Sequence, residues 1–258
     1  MADPKHNARL KRAASRFQCV LVLAAAGSGP AVAQSIDLGG VVGASAPETT
    51  ARLLQIIVAI SALSVAPSLI MMVTSFTRFV IVLSFLRSGL GLQSTPNNSV
   101  LIGLSLFMTA FVMAPTVDES WRDAIAPMSQ NKMSIEEAIP RAAEPFRRFM
   151  MLNVREVDLN RLAALANHGE SKNVEVDVRD YRVLIPAFMI SELRRSFEIG
   201  FLVVLPFMVI DIIVAAIVMS MGMMMLSPQV FSLPLKLLFF VIIDGWGMLV
   251  SSLVRSFA

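Results

Sequence analysis

Long stretches without a single charge alternate along this chain with one stretch of ordinary polar composition. From Leu53 to Thr77 no side chain is charged, and the same holds from Ser88 to Val117. Two more apolar runs follow later, Ile199–Met219 and Leu233–Val254. Each is about 20 residues long, which at 1.5 Å per residue matches the ~30 Å hydrocarbon layer of a bilayer. The pattern predicts membrane spans near Leu53–Val73, Ser99–Val117, Ile199–Met219 and Leu233–Val254. They are grouped as two helical hairpins, 51–117 and 196–258. Pro67 lies inside the first span with Ser61, Ser64 and Ser68 close by to bond freed carbonyls, so a kink or break is expected there. Phe76–Leu86 is again apolar and helical in character, so the first element reads as one long bent helix.

Between the hairpins, residues 118–195 carry acids and bases in near-equal number and ordinary amphipathic spacing. Ser134-x-x-Glu137 has the form of a helix-starting capping box, and Pro140 is expected to interrupt that helix soon after. Leu159, Leu162, Leu165 and Ala166 recur every three to four residues, as on one buried helix face. Val174, Val176 and Val178 alternate with charges, which suits a short extended segment. The insert reads as a small, mainly helical, water-exposed domain. The expected fold class is therefore all-α: a polytopic membrane protein of helical hairpins with a small helical insert.

Composition sharpens this picture. Of 258 residues 55% are hydrophobic and only 16% charged, and the mean hydropathy is +0.69. A soluble domain holds about 45–50% apolar and about 25% charged residues, so lipid is the expected solvent. The net charge of +3 comes with no basic helix, aromatic stacking stripe or zinc pattern, so nucleic acid is not an expected partner.

Residues 1–33 read as a secretory signal peptide. Lys5, Arg9, Lys11, Arg12 and Arg16 form a basic start, Phe17–Ala26 an apolar centre, and Ala31-Val32-Ala33 a cleavage motif ahead of Gln34. The alternative is a short signal anchor, against which the apolar centre of about ten residues counts. Cleavage between Ala33 and Gln34 would leave a short periplasmic lead, 34–50, and would remove Cys19, the one cysteine. Arg78 and Arg87, with no acid between the first two spans, mark that connection as cytoplasmic. Residues 118–195 then fall on the periplasmic side.

Enzyme chemistry is not expected. Past residue 33, His168 is the one histidine, and no phosphate loop, dinucleotide fingerprint, nucleophile elbow or zinc-protease motif occurs. No metal or cofactor is expected either. Charges inside the apolar runs are more informative, because an Asp or Lys at a span centre costs about 2.5–3.5 kcal/mol. Asp211 lies mid-run, and Lys236 and Asp244 lie in the last run. Asp211 and Lys236 are equidistant from a turn centred on residues 223–224, so an antiparallel hairpin brings them to one depth. Asp244, eight residues past Lys236, is the weaker partner. Alternatively, Lys236 snorkels to the interface while Asp211 lines a wet crevice. The turn 221–232 carries most of a methionine run, with Met219, Met221, Met223, Met224 and Met225 crowded around Gly222. Flexible thioethers re-pack around objects of different shape, so such a run suits either a yielding seal or simple turn packing.

The phrases TSFTRFVIVLSFLRSGLG, FMISELRRSFEIGF, LPFMVIDIIVAAIVMSMGMMML and LPLKLLFFVIIDGWGMLVSSLVRSF resemble the FliP family, called SctR in virulence secretion systems. The resemblance implies a subunit of the export gate of the flagellar type III secretion apparatus, in the bacterial inner membrane. It implies a ring of five copies assembled with FliQ and FliR, in contact with other export-apparatus proteins, lipid and unfolded flagellar substrates. It also implies that Met223, Met224 and Met225 form a pore gasket, and that Asp211 and Lys236 form a buried pair binding one subunit to the next. An SctR-type virulence gate is the nearer alternative. A secondary ion or solute transporter is the more distant one, since repeated halves and midplane polar clusters are not evident.

Overall fold

The computed structural model describes residues 46–169, 177–223 and 227–257. The leader, its Ala33–Gln34 junction, and Val174 and Val176 of the expected extended segment lie outside these; Val178 sits in a turn. Every regular element among the described residues is helical. Among the described residues three helices are long and apolar enough to cross a membrane, or four if one bent pair counts as a single span. The chain divides into two compact units at Ile70.

The first unit holds most of α1, Ala46–Met72. This helix runs through Pro67 without a break. Ser64 Oγ donates to the Ile60 carbonyl at 2.8 Å and Ser68 Oγ to that of Val65, the hydroxyl-to-carbonyl bonding expected around an intramembrane proline. The helix instead stops at Val73–Ser75, before α2 (Phe76–Gly89). The single long element expected from hydropathy is thus two helices. Nothing in the apolar count marks Thr74-Ser75 as the breakpoint, but short hydroxyl side chains compete for backbone bonds, and Thr74 Oγ1 donates to the Met71 carbonyl.

In the second unit, α2 packs against α3 (Asn98–Ser120) and α7 (Tyr181–Ser220). A π-helical turn, Trp121–Ile125, joins α3 to the short α4 (Ala126–Ser129). Then come α5 (Ile135–Asn153), α6 (Glu156–Gly169), α7, α8 (Gln229–Ile242) and α9 (Gly245–Arg255). At the start of α5, Ser134 accepts from the Glu137 amide, but α5 continues through both Pro140 and Pro145 to Asn153. Pro140 deprives only the solvent-exposed Glu136 of an amide partner, and water can serve that carbonyl. On α6 the buried face is Leu159, Leu162, Ala163 and Ala166, while Leu165 is 68% exposed. At 3.6 residues per turn Leu165 lies about 60° beyond Leu162, outside the stripe that runs from Leu162 through Ala166 and Leu159 to Ala163.

Forty residues make α7 about 60 Å long, roughly twice the hydrocarbon thickness. It joins the end of the insert to the third apolar run without interruption and serves two cores. Val183, Leu184, Ala187 and Phe188 pack with Met150 of α5 and Leu159 and Ala163 of α6. Further along, Phe207 joins Phe79, Val82, Leu83 and Leu86 of α2, Leu101 and Met108 of α3, Phe240 of α8, and Leu249 and Leu253 of α9. The α2–α7 crossing is close because glycines sit in it. A Cβ on Gly200 would lie 2.6 Å from the Phe85 ring, and one on Gly89 2.9 Å from Val204.

The last apolar run differs most from expectation. Leu233–Val254 is not one helix; α8 and α9 meet at 63° across Ile243–Asp244. Asp244 is left-handed, with φ +50°, a conformation a short polar side chain tolerates best after glycine. Asp244 thus starts α9 instead of pairing with Lys236.

Candidate functional site

Both ends of the α7–α8 connection are built from the backbone outward. Helix α7 closes in a Schellman turn: the Gly222 amide donates to Met219 and the Met223 amide to Val218, with Gly222 at φ +74°. Met219, Met221 and Met223 are 58%, 63% and 41% exposed, so three thioethers leave the helix end without joining a core. Met224 and Met225 lie outside the described residues.

Further down the hairpin Lys236 Nζ donates to Asp211 Oδ2 at 2.6 Å and to the Gly89 carbonyl at 3.0 Å. Gly89 ends α2, whose own Schellman turn uses Gly91 and Leu92 to satisfy Ser88 and Arg87. The next carbonyl is left for the lysine, at the negative end of the helix dipole. The two partners differ in exposure: the Lys236 side chain is 6% exposed and Asp211 45%. Asp211 opens onto a cleft of about 900 Å³ shared by the α2–α3 connection and the α7–α8 hairpin. The contact lies within one chain.

A second ion pair is more deeply enclosed. Arg78, near the start of α2, donates from Nε to Glu192 Oε2 at 2.8 Å and from Nη2 to Oε1 at 2.5 Å. Both side chains are completely buried. Arg78 Nη1 also donates to the Ser256 carbonyl and hydroxyl, at 3.0 and 2.7 Å. The guanidinium carbon sits 3.5 Å from the centre of the Phe257 ring, which stacks on Phe149 of α5. Nearby, Ser191 Oγ donates to Asp158 and accepts from the Arg155 amide, tying α6 to α7. One guanidinium therefore joins α2, α7 and the end of α9 where the two cores meet.

Sequence reasoning passed over this cluster. The available signal was that Arg78 is the one charge between Leu53 and Leu86. A lone arginine in so long an apolar stretch needs a carboxylate once buried, but its sequence neighbours offer none.

The FliP family profile matches residues 59–253, which takes in most of both apolar hairpins, both ion pairs except the Ser256–Phe257 contacts, and the methionine run. This chain belongs to the FliP family. It is 56% identical over 198 residues to the flagellar biosynthetic protein FliP of Agrobacterium fabrum, covering 77% of this chain and 81% of that one. Identity to the Bacillus subtilis protein of the same name is 45% over 215 residues, covering 83% and 96%. For Caulobacter vibrioides it is 44% over 253 residues, covering 96% and 92%. These relatives are flagellar, which favours the flagellar reading over a virulence gate or a transporter. Membership of this family and the apolar helices together make the chain a membrane-embedded protein of flagellar biosynthesis and protein export, and not an enzyme.

Proposed function

We propose that this chain is one of five FliP subunits that assemble with FliQ and FliR into the gate through which unfolded flagellar proteins leave the cytoplasm. The family match over residues 59–253 carries this reading. The gate lies in the cytoplasmic membrane, with residues 118–195 on the periplasmic side; Arg87, at the acid-free α2–α3 connection, supports that orientation, whereas Arg78 is buried against Glu192 and marks no side. Met223, Met224 and Met225 act as the seal of the closed pore, and the half-exposed Asp211 is where a neighbouring subunit engages the Asp211–Lys236 pair. The leader is removed after Ala33, so the mature chain starts at Gln34.

Deleting the coding sequence tests the gate directly. Flagellin should disappear from the medium and return on complementation; normal secretion by the deletion strain would overturn the reading. Within it, replacing Met223, Met224 and Met225 by Ala should leave complex yield unchanged and raise ion conductance, because apolar volume is lost at the seal. Leu replacements should leak less, since volume-conserving apolar swaps are tolerated best. A triple-Ala complex no leakier than wild type would move the constriction elsewhere.

A further inference from the structure

Helices α8 and α9 are joined at 63°, and the bent pair arches over the face of α7. Beneath it lies a cleft of about 400 Å³, walled by Val203 and Phe207 of α7, Phe240 of α8, and Met248 and Leu249 of α9. Its polar groups are Ser252 and Ser256, both in the last turn of α9 or just beyond it. Ser256 is bonded to Arg78, which fixes this end of the cleft beside the charged stretch of α7. Apart from the two serines its walls are apolar, which suits a hydrocarbon chain.

Charge at the serine end is one-sided. Arg255 lies three residues from Ser252 on α9 and is exposed. Arg195 lies one turn before Ile199, another cleft residue, and is close enough to Arg78 to oppose its charge. Of the acids nearby, Glu192 is taken up by Arg78 and Glu198 pairs with Arg155 at 3.3 Å. Arg195 precedes the uncharged stretch Ile199–Ile210 and Arg255 ends α9, so both flank apolar runs, where basic side chains meet headgroups.

We propose that this cleft is a binding site for an anionic phospholipid, with one acyl chain under the α8–α9 arch and the phosphate between Arg195 and Arg255. The lipid then fills the space opened by the break at Asp244, supporting a bend that α8 and α9 do not themselves pack closed.

Trp246 offers a direct readout, because its ring meets Phe240 of the cleft wall at 5.4 Å. Trp121 and Trp246 are the two tryptophans, so Trp121→Phe leaves one reporter. The full chain carrying this change is reconstituted into phosphatidylcholine vesicles containing a small fraction of lipid with brominated acyl chains. Brominated phosphatidylglycerol should quench Trp246 well beyond its share of the bilayer, while brominated phosphatidylcholine should not. Each of Arg195→Gln and Arg255→Gln should weaken that preference about fivefold, and Arg255→Lys should keep it. Ser252→Phe, which fills the cleft, should abolish it. Equal quenching by the two lipids overturns the proposal, as does a preference that survives both Gln substitutions or the Phe substitution. Absence of quenching by either lipid means that protein covers the cleft, and overturns it equally.

Discussion

Two ion pairs hold the second unit together, and they solve the problem of a charge buried among apolar helices differently. Arg78 and Glu192 are both fully enclosed, paired through two bonds, and the remaining guanidinium donors reach Ser256. Lys236 and Asp211 share one bond, and only the lysine is buried. Each cation also caps a helix end: Arg78 takes a carbonyl just past α9, and Lys236 takes the last carbonyl of α2. The difference lies in the acids. Glu192 has nowhere to turn if its partner is lost, whereas Asp211 faces an open cleft. A closed pair therefore serves the fold of one chain, and an open pair leaves a carboxylate available to whatever enters the cleft.

Single truncations should separate the two pairs most strongly. Glu192→Ala or Arg78→Ala leaves an unpaired buried charge, and should cost about 3–5 kcal/mol. The expected result is loss of detergent-stable protein, or a large drop in the thermal unfolding midpoint. The apolar double variant Arg78→Met with Glu192→Leu should recover much of that loss, because it buries no charge. A double variant as unstable as the singles would show that the Ser256 and Phe257 contacts outweigh the pair itself.

At the open pair the expected loss is smaller, about 1–2 kcal/mol for Asp211→Ala. Lys236 keeps the Gly89 carbonyl and the dipole of α2, and Asp211 is already half solvated. Its thermal midpoint should therefore move far less than that of Glu192→Ala, while yield of the assembled complex on native gels falls more than stability does. Equal destabilisation by the two substitutions would erase the distinction between closed and open pairs.

The half-exposed pair Glu144–Arg147 on α5 completes the series. The Arg147 hydrogen bonds hold the Glu144 carboxyl below its ordinary value of 4.5. A depressed acid pKa contributes stability that is present above 4.5 and lost as pH falls through the lower, folded value. For a solvated i,i+3 pair the contribution should be only about 0.3–0.5 kcal/mol. Arg147→Gln should remove that acid-side dependence and little else, as read from unfolding midpoints on either side of pH 4.5. A larger shift would place this pair with the buried ones.

Hydropathy alone determined that the chain is helical, apolar and divided around a polar insert, because lipid demands runs of fixed length and backbone bonds satisfied within them. It also placed Asp211 and Lys236 at one depth, since a hairpin is local and its register follows from counting residues to the turn. Spacing could not decide contacts between residues far apart in the chain. Arg78 meets Glu192 across 114 positions and Ser256 across 178, and only the packing of α2 against α7 and α9 selects those partners. Nor could it set the break at Asp244 or the passage of α5 through two prolines. There the competing local preferences differ by little, and tertiary packing chooses among them.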